Sequence, residues 1–196
     1  MRKSFLLPLL TVLLAAVVLF CLSFGLKGLT EFNAQSVHLR LMQHLLPGST
    51  HFTLEPYAGE DANIRSVHKG ETGFVIETVT YGYAGEITVL IGVSNEGRVT
   101  GLTVTDMQET LGLGSNALYD LDFLFQFLNT DGGIAIGTAS DAFSGATGDS
   151  ATETDTYVDG ISGATVTSKA IARSVNSAVA FVTGSDVDSG ATSWGG

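Results

Sequence analysis

The sequence predicts an α+β fold, in which an N-terminal transmembrane helix precedes one domain with an antiparallel sheet and packed helices. Three patterns support this prediction. Residues 5–26 contain no charged side chain, residues 73–105 hold β-rich runs separated by turns, and residues 168–183 are amphipathic. Because the strand patterns form one block with helix patterns on either side, the order favours an α+β domain over alternating strands and helices.

The first 26 residues predict a single-pass membrane anchor, residues 5–26, behind a cytoplasmic N-terminus, residues 1–4. As a helix, the apolar segment would span roughly 33 Å, about one bilayer core. A removed signal peptide is the alternative, but its core is usually shorter, and no convincing Ala-x-Ala site follows Val18. Arg2 and Lys3 favour an N-terminus inside the cell. The domain is therefore expected outside the cell (inner) membrane, on its periplasmic or extracellular face.

Residues 27–70 predict a helical linker that leads into the domain. In residues 31–46, Val37, Leu41 and Leu45 recur at helical spacing, and Pro47 with Gly48 ends that helix. The domain itself is assigned to residues 71–183. Residues 184–196 are expected to form a flexible C-terminal tail.

A β-hairpin is the clearest local signal in the chain. Residues 87–93 and 99–105 are rich in Val, Ile, Leu and Thr. Residues 94–97, Ser-Asn-Glu-Gly, join them and place a glycine where a hairpin needs a left-handed backbone. Residues 73–85 predict a further strand beside this hairpin.

Two helices are predicted after the hairpin, with a loop over residues 130–159 between them, because that stretch is rich in Gly, Ser, Thr and Asp. The first covers residues 116–129, and its expected apolar face is Leu118, Leu121, Phe125 and Leu128. The second covers residues 168–183, and its expected apolar row is Ile171, Val175 and Val179.

Composition argues against several function classes. The net charge is −11, from 9 Lys and Arg against 20 Asp and Glu, so a nucleic-acid partner is not expected. Cys21 is the only cysteine, which excludes a disulfide or an iron–sulfur ligand set within the chain. The four histidines have no metal-ligand spacing, and no catalytic triad or phosphate-binding loop is recognisable. We therefore assign no metal site and no catalytic residue.

The motif Asp-x-x-Ser-Gly-Ala-Thr occurs three times, at residues 141–147, 159–165 and 186–192. In the second copy, small residues precede Thr165, and Thr167 and Ser168, both good N-cap residues, follow it before the last predicted helix. A helix N-terminus suits a phosphate, so a hydroxyl there is placed to bind one or to carry one covalently. Asp159 would repel such a ligand and fits better as a recognition element for a modifying enzyme. The alternative interpretation is an ordinary Ser/Thr cap after a flexible turn.

Two segments together resemble a known family. Residues 81–115, YGYAGEITVLIGVSNEGRVTGLTVTDMQETLGLGS, and residues 159–179, DGISGATVTSKAIARSVNSAV, are similar to the FMN-binding domain of the G subunit of the Rnf ion-translocating electron-transport complex. A relative of that protein is the C subunit of the sodium-translocating NADH:quinone oxidoreductase. The resemblance covers residues 1–183.

The resemblance implies a covalent FMN, joined through its phosphate to the Thr165 hydroxyl by a flavin transferase that uses FAD. Asp159, Ser162, Gly163 and Ala164 would form the recognition motif. The family's Glu-Thr-Pro-Gly-Leu-Gly loop lies beside the flavin. It corresponds here to Glu109, Thr110, Leu111, Gly112, Leu113 and Gly114. Leu111 replaces the usual proline, which adds a backbone donor and makes the loop less rigid.

The resemblance also implies an electron-transfer subunit of a ferredoxin- and NAD-type complex, whose partners are other membrane subunits. Two further hypotheses stay open: a free-standing anchored flavoprotein, and an anchored interaction domain without a cofactor. Thr147 and Thr192 end the other two motif copies, and neither is followed by the Val-Thr-Ser sequence found after Thr165. They are either additional flavin sites or products of drift in segments rich in small residues.

Overall fold

The computed structural model describes residues 3–108, 119–137 and 156–185. The chain divides into two compact units, Met1–Leu41 and Met42–Gly196. Helix α1, Lys3–Leu45, supplies the first unit and the first residues of the second. In the part of the chain that the structure describes, no helix has the length and apolar character needed to cross a bilayer. The transmembrane assignment of residues 5–26 is therefore not supported by the structure.

The second unit is built on a five-stranded sheet. Its strands are β1 Thr53–Glu55, β2 Ile64–Lys69, β3 Gly73–Tyr81, β4 Glu86–Ser94 and β5 Val99–Met107. They lie in sequence order and every neighbouring pair is antiparallel, which confirms the predicted antiparallel sheet.

The predicted hairpin is the pair β4 and β5. The Gly97 N–H donates to the Ser94 carbonyl at 2.9 Å, and Gly97 has a φ of 80°. This left-handed backbone is the conformation that the sequence pattern predicts for that glycine.

The sequence patterns do not predict β1 and β2, which lie within residues 27–70. In β2 the buried apolar residues are Ile64 and Val67, three positions apart, because the register shifts between Ile64 and Ser66. A bulge of this kind interrupts the alternation of buried and exposed residues along a strand. The remaining spacing resembles that of a helix, so local periodicity gives the wrong signal here.

Helix α3, Thr165–Thr183, packs on one face of the sheet. Its predicted row, Ile171, Val175 and Val179, is buried, which confirms the predicted face. At its contact with β3, the buried Thr80 hydroxyl donates to the Ala170 carbonyl at 3.1 Å and lies 3.0 Å from the Ser174 hydroxyl. Because hydrogen bonds are directional, these contacts fix the position of α3 along the sheet.

The end of α1 packs against the other face of the sheet, at Gly92 in β4. Leu45 and Leu46 are buried, and the Thr100 hydroxyl donates to the Leu45 carbonyl. A Cβ at Gly92 would lie 2.1 Å from the Leu45 carbonyl oxygen. Only glycine therefore allows this approach of two backbones.

We expect Gly92→Ala to lower the free energy of unfolding by about 1–3 kcal/mol, because the new methyl group meets backbone that must shift. The measurement is urea unfolding of the full chain. The matched control is Gly184→Ala, because nothing lies within 4 Å of a Cβ at Gly184, although its left-handed φ of 68° adds backbone strain. A loss below about 0.5 kcal/mol in Gly92→Ala would contradict the packing explanation.

Helix α2, Leu121–Phe125, begins at Asp120, whose carboxylate accepts from the N–H groups of Asp122 and Phe123 at 3.0 and 3.2 Å. Of the predicted apolar face, Leu118 lies outside the described residues, and the prediction is wrong for Leu121, Phe125 and Leu128. Leu121 and Phe125 are exposed, and the buried residues are Phe123, Leu124 and Phe127. Four of the five residues of this short helix are apolar, so periodicity alone does not select a face.

The predicted loop over residues 130–159 is wrong where strands β6, Ile134–Ile136, and β7, Thr156–Val158, form a parallel pair. Residues 138–155 of that prediction lie outside the described residues. Asn176 of α3 holds β6 through two hydrogen bonds of 3.0 Å, one to the N–H and one to the carbonyl of Ile134. Strand β6 is therefore held by a side chain 42 positions away, a contact that its own three residues do not indicate.

Glu71 lies in the turn between β2 and β3 and connects it to residues 50 and 51. Its carboxylate accepts from the Thr50 N–H at 3.0 Å and from the His51 N–H at 3.2 Å. Hydrogen bonds from its own backbone N–H, from the His51 side chain, from the Thr50 hydroxyl and from the His51 N–H lower the pKa of Glu71 to about 2.

A carboxyl group whose pKa is lowered in the folded state stabilises that state above its unfolded pKa of 4.5, and the effect disappears as pH falls through about 2. We expect Glu71→Gln to lower the thermal midpoint at pH 6, and this difference from the unaltered chain to shrink steadily between pH 4.5 and pH 2. Scanning calorimetry over that range measures it. A difference that does not change with pH would mean that the carboxylate charge contributes nothing.

Candidate functional site

The motif at residues 159–165 starts where β7 ends. Val158, the last residue of β7, is fully buried, and the next residue, Asp159, is held through its backbone by Gln126. The Asp159 N–H donates to Gln126 Oε1 at 2.8 Å, and Gln126 Nε2 donates to the Asp159 carbonyl at 3.5 Å. We call this pair of hydrogen bonds the Gln126 bridge. It fixes the backbone of Asp159. The exposed Asp159 carboxylate takes no part in these two hydrogen bonds.

A tight turn forms the middle of the motif. The Ala164 N–H donates to the Ile161 carbonyl at 2.9 Å, and Gly163 takes a φ of 80°, which favours glycine at that position of the turn. The Ile161 N–H donates to Ser168 Oγ at 3.2 Å, and the Ser168 hydroxyl donates to the Ala164 carbonyl at 3.0 Å. Ile161 also packs against the core.

Helix α3 begins at Thr165, three residues earlier than predicted, and its N-cap residue is Ala164. The interpretation of Thr167 and Ser168 as N-cap residues is wrong, because both lie inside the helix and both are buried. No side-chain hydrogen bond from Ala164 caps this end of the helix. Thr165 therefore occupies the first turn of the helix.

Exposure distinguishes the residues of the motif. Ala164 is buried, whereas Asp159, Ser162, Gly163 and Thr165 are exposed. The Thr165 hydroxyl thus lies on the surface in the first helical turn, where the helix dipole favours negative charge. The arrangement places an exposed threonine in the first helical turn, directly after a segment whose backbone is held by Gln126 and Ser168.

A cavity of about 290 Å³ lies at the end of β5. It is lined by Val104, Thr105, Asp106, Met107 and Tyr119. The chain continues from this strand into the segment that the resemblance assigns to the flavin.

Several predicted site residues fall outside the described residues. They are Glu109, Thr110, Leu111, Gly112 and Leu113 of the ring-contact loop, and Thr147 and Thr192 of the other motif copies. Their roles stay predictions. Among the residues that are described, no group of three or more His, Cys, Asp or Glu side chains is placed to hold a metal ion.

Two residues that contact the motif are absent from the sequence-based set. Ser168 is recognisable as a neighbour, but its hydrogen bonds run back into the motif instead of capping the helix. Gln126 is 33 positions from Asp159, and its exposed glutamine side chain carries no sequence signal for this contact.

Comparison with known proteins gives consistent results. The FMN-binding domain family matches residues 82–180. The G subunit of the Na(+)-translocating ferredoxin:NAD(+) oxidoreductase complex of Acetobacterium woodii is 32% identical over 130 residues, which cover 64% of this chain and 54% of that relative. The G subunit of the proton-translocating ferredoxin:NAD(+) oxidoreductase complex of Clostridium ljungdahlii is 33% identical over 110 residues, which cover 56% and 53% of the two chains.

The match spans about half the length of these curated relatives. Among solved structures, the C subunit of the Na(+)-translocating NADH-quinone reductase from Parabacteroides distasonis is similar, with a TM-score of 0.45 and 20% identity over 62% of this chain and 64% of that one. The family match, which covers 99 of the 196 residues and includes both the hairpin and the 159–165 motif, decides the assignment. The chain belongs to the FMN-binding domain family.

Proposed function

We propose that this chain carries FMN joined through its phosphate to the Thr165 hydroxyl, and that it transfers electrons as a subunit of a membrane-bound, ion-translocating redox complex of the ferredoxin and NAD type. The observation that carries the proposal is the exposed Thr165 in the first turn of α3, at the end of a motif that lies within the family match. The two bacterial relatives, each the G subunit of such a complex, support the second half of the proposal.

The described residues fit the phosphate end of FMN. The hydroxyl of Thr165 is exposed, and the N-terminus of α3 has no side-chain cap from Ala164 that would compete for its backbone N–H groups. Lys169 is exposed four residues further on, so it shares the helix face of Thr165 and is placed to offset the charge of a phosphodiester.

The proposed attachment reaction is a phosphoryl transfer from FAD to the Thr165 hydroxyl. The Thr165 oxygen forms a bond to the FMN phosphorus of FAD, the pyrophosphate bond breaks, AMP leaves and the hydroxyl proton is released. A flavin transferase would supply the base and the metal ion for this step. The roles of this chain are to present the hydroxyl and to hold residues 159–164 in one conformation.

When bound, FMN would supply reversible uptake of one or two electrons. The cavity beside Met107 and Tyr119 is apolar and aromatic in part, as ligand sites commonly are, and it adjoins the start of the 109–114 segment in the chain. We propose that Glu109, Thr110, Leu111, Gly112 and Leu113 line the flavin ring at this end of β5.

Membrane attachment through residues 5–26, with the N-terminus in the cytoplasm and the domain outside, belongs to the same proposal. The segment has no charged residue, and from Val12 to Phe20 its described side chains are exposed on every side of the helix. Apolar side chains exposed in this way are stabilised when lipid or another apolar surface covers them. Other membrane subunits of the complex would be the partners.

The experiment that tests the proposal is intact mass spectrometry of the full chain, purified after co-expression with a flavin transferase, followed by peptide mapping. We expect one FMN per chain, located at Thr165. A chain without flavin would favour the cofactor-free interaction domain. More than one adduct, mapped to Thr147 or Thr192, would favour the multiply modified, free-standing flavoprotein, and purification from membranes would then show whether other subunits accompany it.

A further inference from the structure

We propose that Gln126 is a positioning residue for the modification of Thr165. Through the Gln126 bridge it holds the first residue of the 159–165 motif, so that a transferase meets a preformed motif. This inference rests on the proposed function. It also assigns a role to a residue that lies outside the motif by 33 positions of sequence.

The geometry of the bridge is directional. The shorter hydrogen bond, 2.8 Å, runs from the Asp159 N–H to Gln126 Oε1, and the longer one, 3.5 Å, runs from Gln126 Nε2 to the Asp159 carbonyl. At these distances the acceptor oxygen of Gln126 contributes most of the interaction. The carboxamide bonds both the N–H and the carbonyl of Asp159, as the backbone of a neighbouring β-strand would.

Gln126 is itself held firmly in place. It is the C-cap residue of α2, and its neighbour Phe127 is fully buried. The rings of Phe123 and Phe127 pack edge to face with their centroids 5.1 Å apart. The bridge therefore connects the motif to a helix end that is anchored in the core.

The other end of the motif is held by Ser168, which bonds the Ile161 N–H and the Ala164 carbonyl. With both ends fixed, the exposed groups between them, including the Asp159 carboxylate and the Thr165 hydroxyl, keep a defined separation. Ordering a loose peptide costs the binding enzyme free energy, and a preformed one avoids that cost. Loss of the bridge should therefore slow modification without removing any group that takes part in the reaction.

Three variants of the full chain test this. Gln126→Met keeps the side-chain length and removes the strong acceptor and both donors, whereas Gln126→Glu keeps an acceptor oxygen for the Asp159 N–H. Gln43→Met is the matched control, because Gln43 Nε2 donates to the Thr50 carbonyl at 3.2 Å in an exposed side-chain-to-backbone bond of the same unit. The initial rate of FMN attachment, with purified transferase and FAD in excess, is measured by intact mass.

We expect Gln126→Met to slow attachment about tenfold, Gln126→Glu to stay within about threefold of the unaltered chain, and Gln43→Met to match the unaltered chain. Amide hydrogen exchange at Asp159 should accelerate in Gln126→Met only. Thermal midpoints of the two methionine variants should agree within a few degrees, because Gln126 is exposed, Gln43 is half-buried, and neither belongs to the buried core.

Two results would overturn the inference: attachment to Gln126→Met within twofold of the unaltered rate, or a Gln126→Glu rate as low as that of Gln126→Met. If Gln126→Met proves unstable, Gln126→Leu, which also lacks the acceptor and the donors, replaces it with the same expected and contradicting results. A failure of the unaltered chain to accept FMN at Thr165 would instead refute the proposed function, and this inference with it.

Discussion

Replacing Thr165 with alanine is expected to leave the chain without covalent flavin when it is produced together with a transferase. The substitution removes the oxygen that would form the phosphoester, and no neighbouring residue of the motif can replace it: Ala164 has no hydroxyl, and Ser162 lies in the turn before the helix. Intact mass spectrometry and in-gel flavin fluorescence would both report complete loss.

Thr165→Ser is the matched control for that experiment, because it keeps the hydroxyl and removes only a methyl group. We expect measurable attachment to the serine variant. Thr165 is exposed in the first helical turn, so both variants should unfold within about 0.5 kcal/mol of the unaltered chain. A flavin adduct that survives Thr165→Ala would contradict single-site attachment and would direct peptide mapping to Thr147 and Thr192.

The second large effect is expected at Phe127. This side chain is fully buried and packs edge to face on Phe123. Phe127→Ala should lower the free energy of unfolding by about 3–5 kcal/mol, because it removes a large apolar side chain and leaves a cavity. Urea unfolding followed by circular dichroism would measure it.

Phe125→Ala provides the control, because Phe125 lies two residues away and is 59% exposed. Its expected loss is below about 0.5 kcal/mol. The sequence pattern alone assigns the opposite ranking, since it places Phe125 on the apolar face. A larger loss at Phe125 than at Phe127 would contradict the burial of Phe127 as the source of this stability.

The features that sequence predicted well have local causes. The hairpin of β4 and β5 follows from two β-branched runs and a glycine that takes a left-handed φ. The row Ile171, Val175 and Val179 follows from one helical period and is buried as expected. In each case the residues that determine the structure lie within a few positions of one another.

The features that sequence missed depend on distant contacts. Strand β6 is held by Asn176 and the start of the 159–165 motif by Gln126, over 42 and 33 positions respectively. The bulge in β2 and the short, mostly apolar sequence of α2 each remove the periodicity on which a local prediction relies. The early start of α3, at Thr165, follows from the turn that Gly163 and Ser168 build before it.

The sequence by itself determined the family, the antiparallel sheet and the threonine that we propose as the flavin site, because short motifs and strand periodicity are local properties of the chain. Tertiary structure decided which face of α2 is buried, where α3 begins and how the 159–165 motif is held. Those outcomes depend on hydrogen bonds and packing between residues far apart in sequence, which come together only when the sheet and α3 have formed. For that reason Thr165 could be identified from its motif, whereas Gln126 could be identified only from the fold.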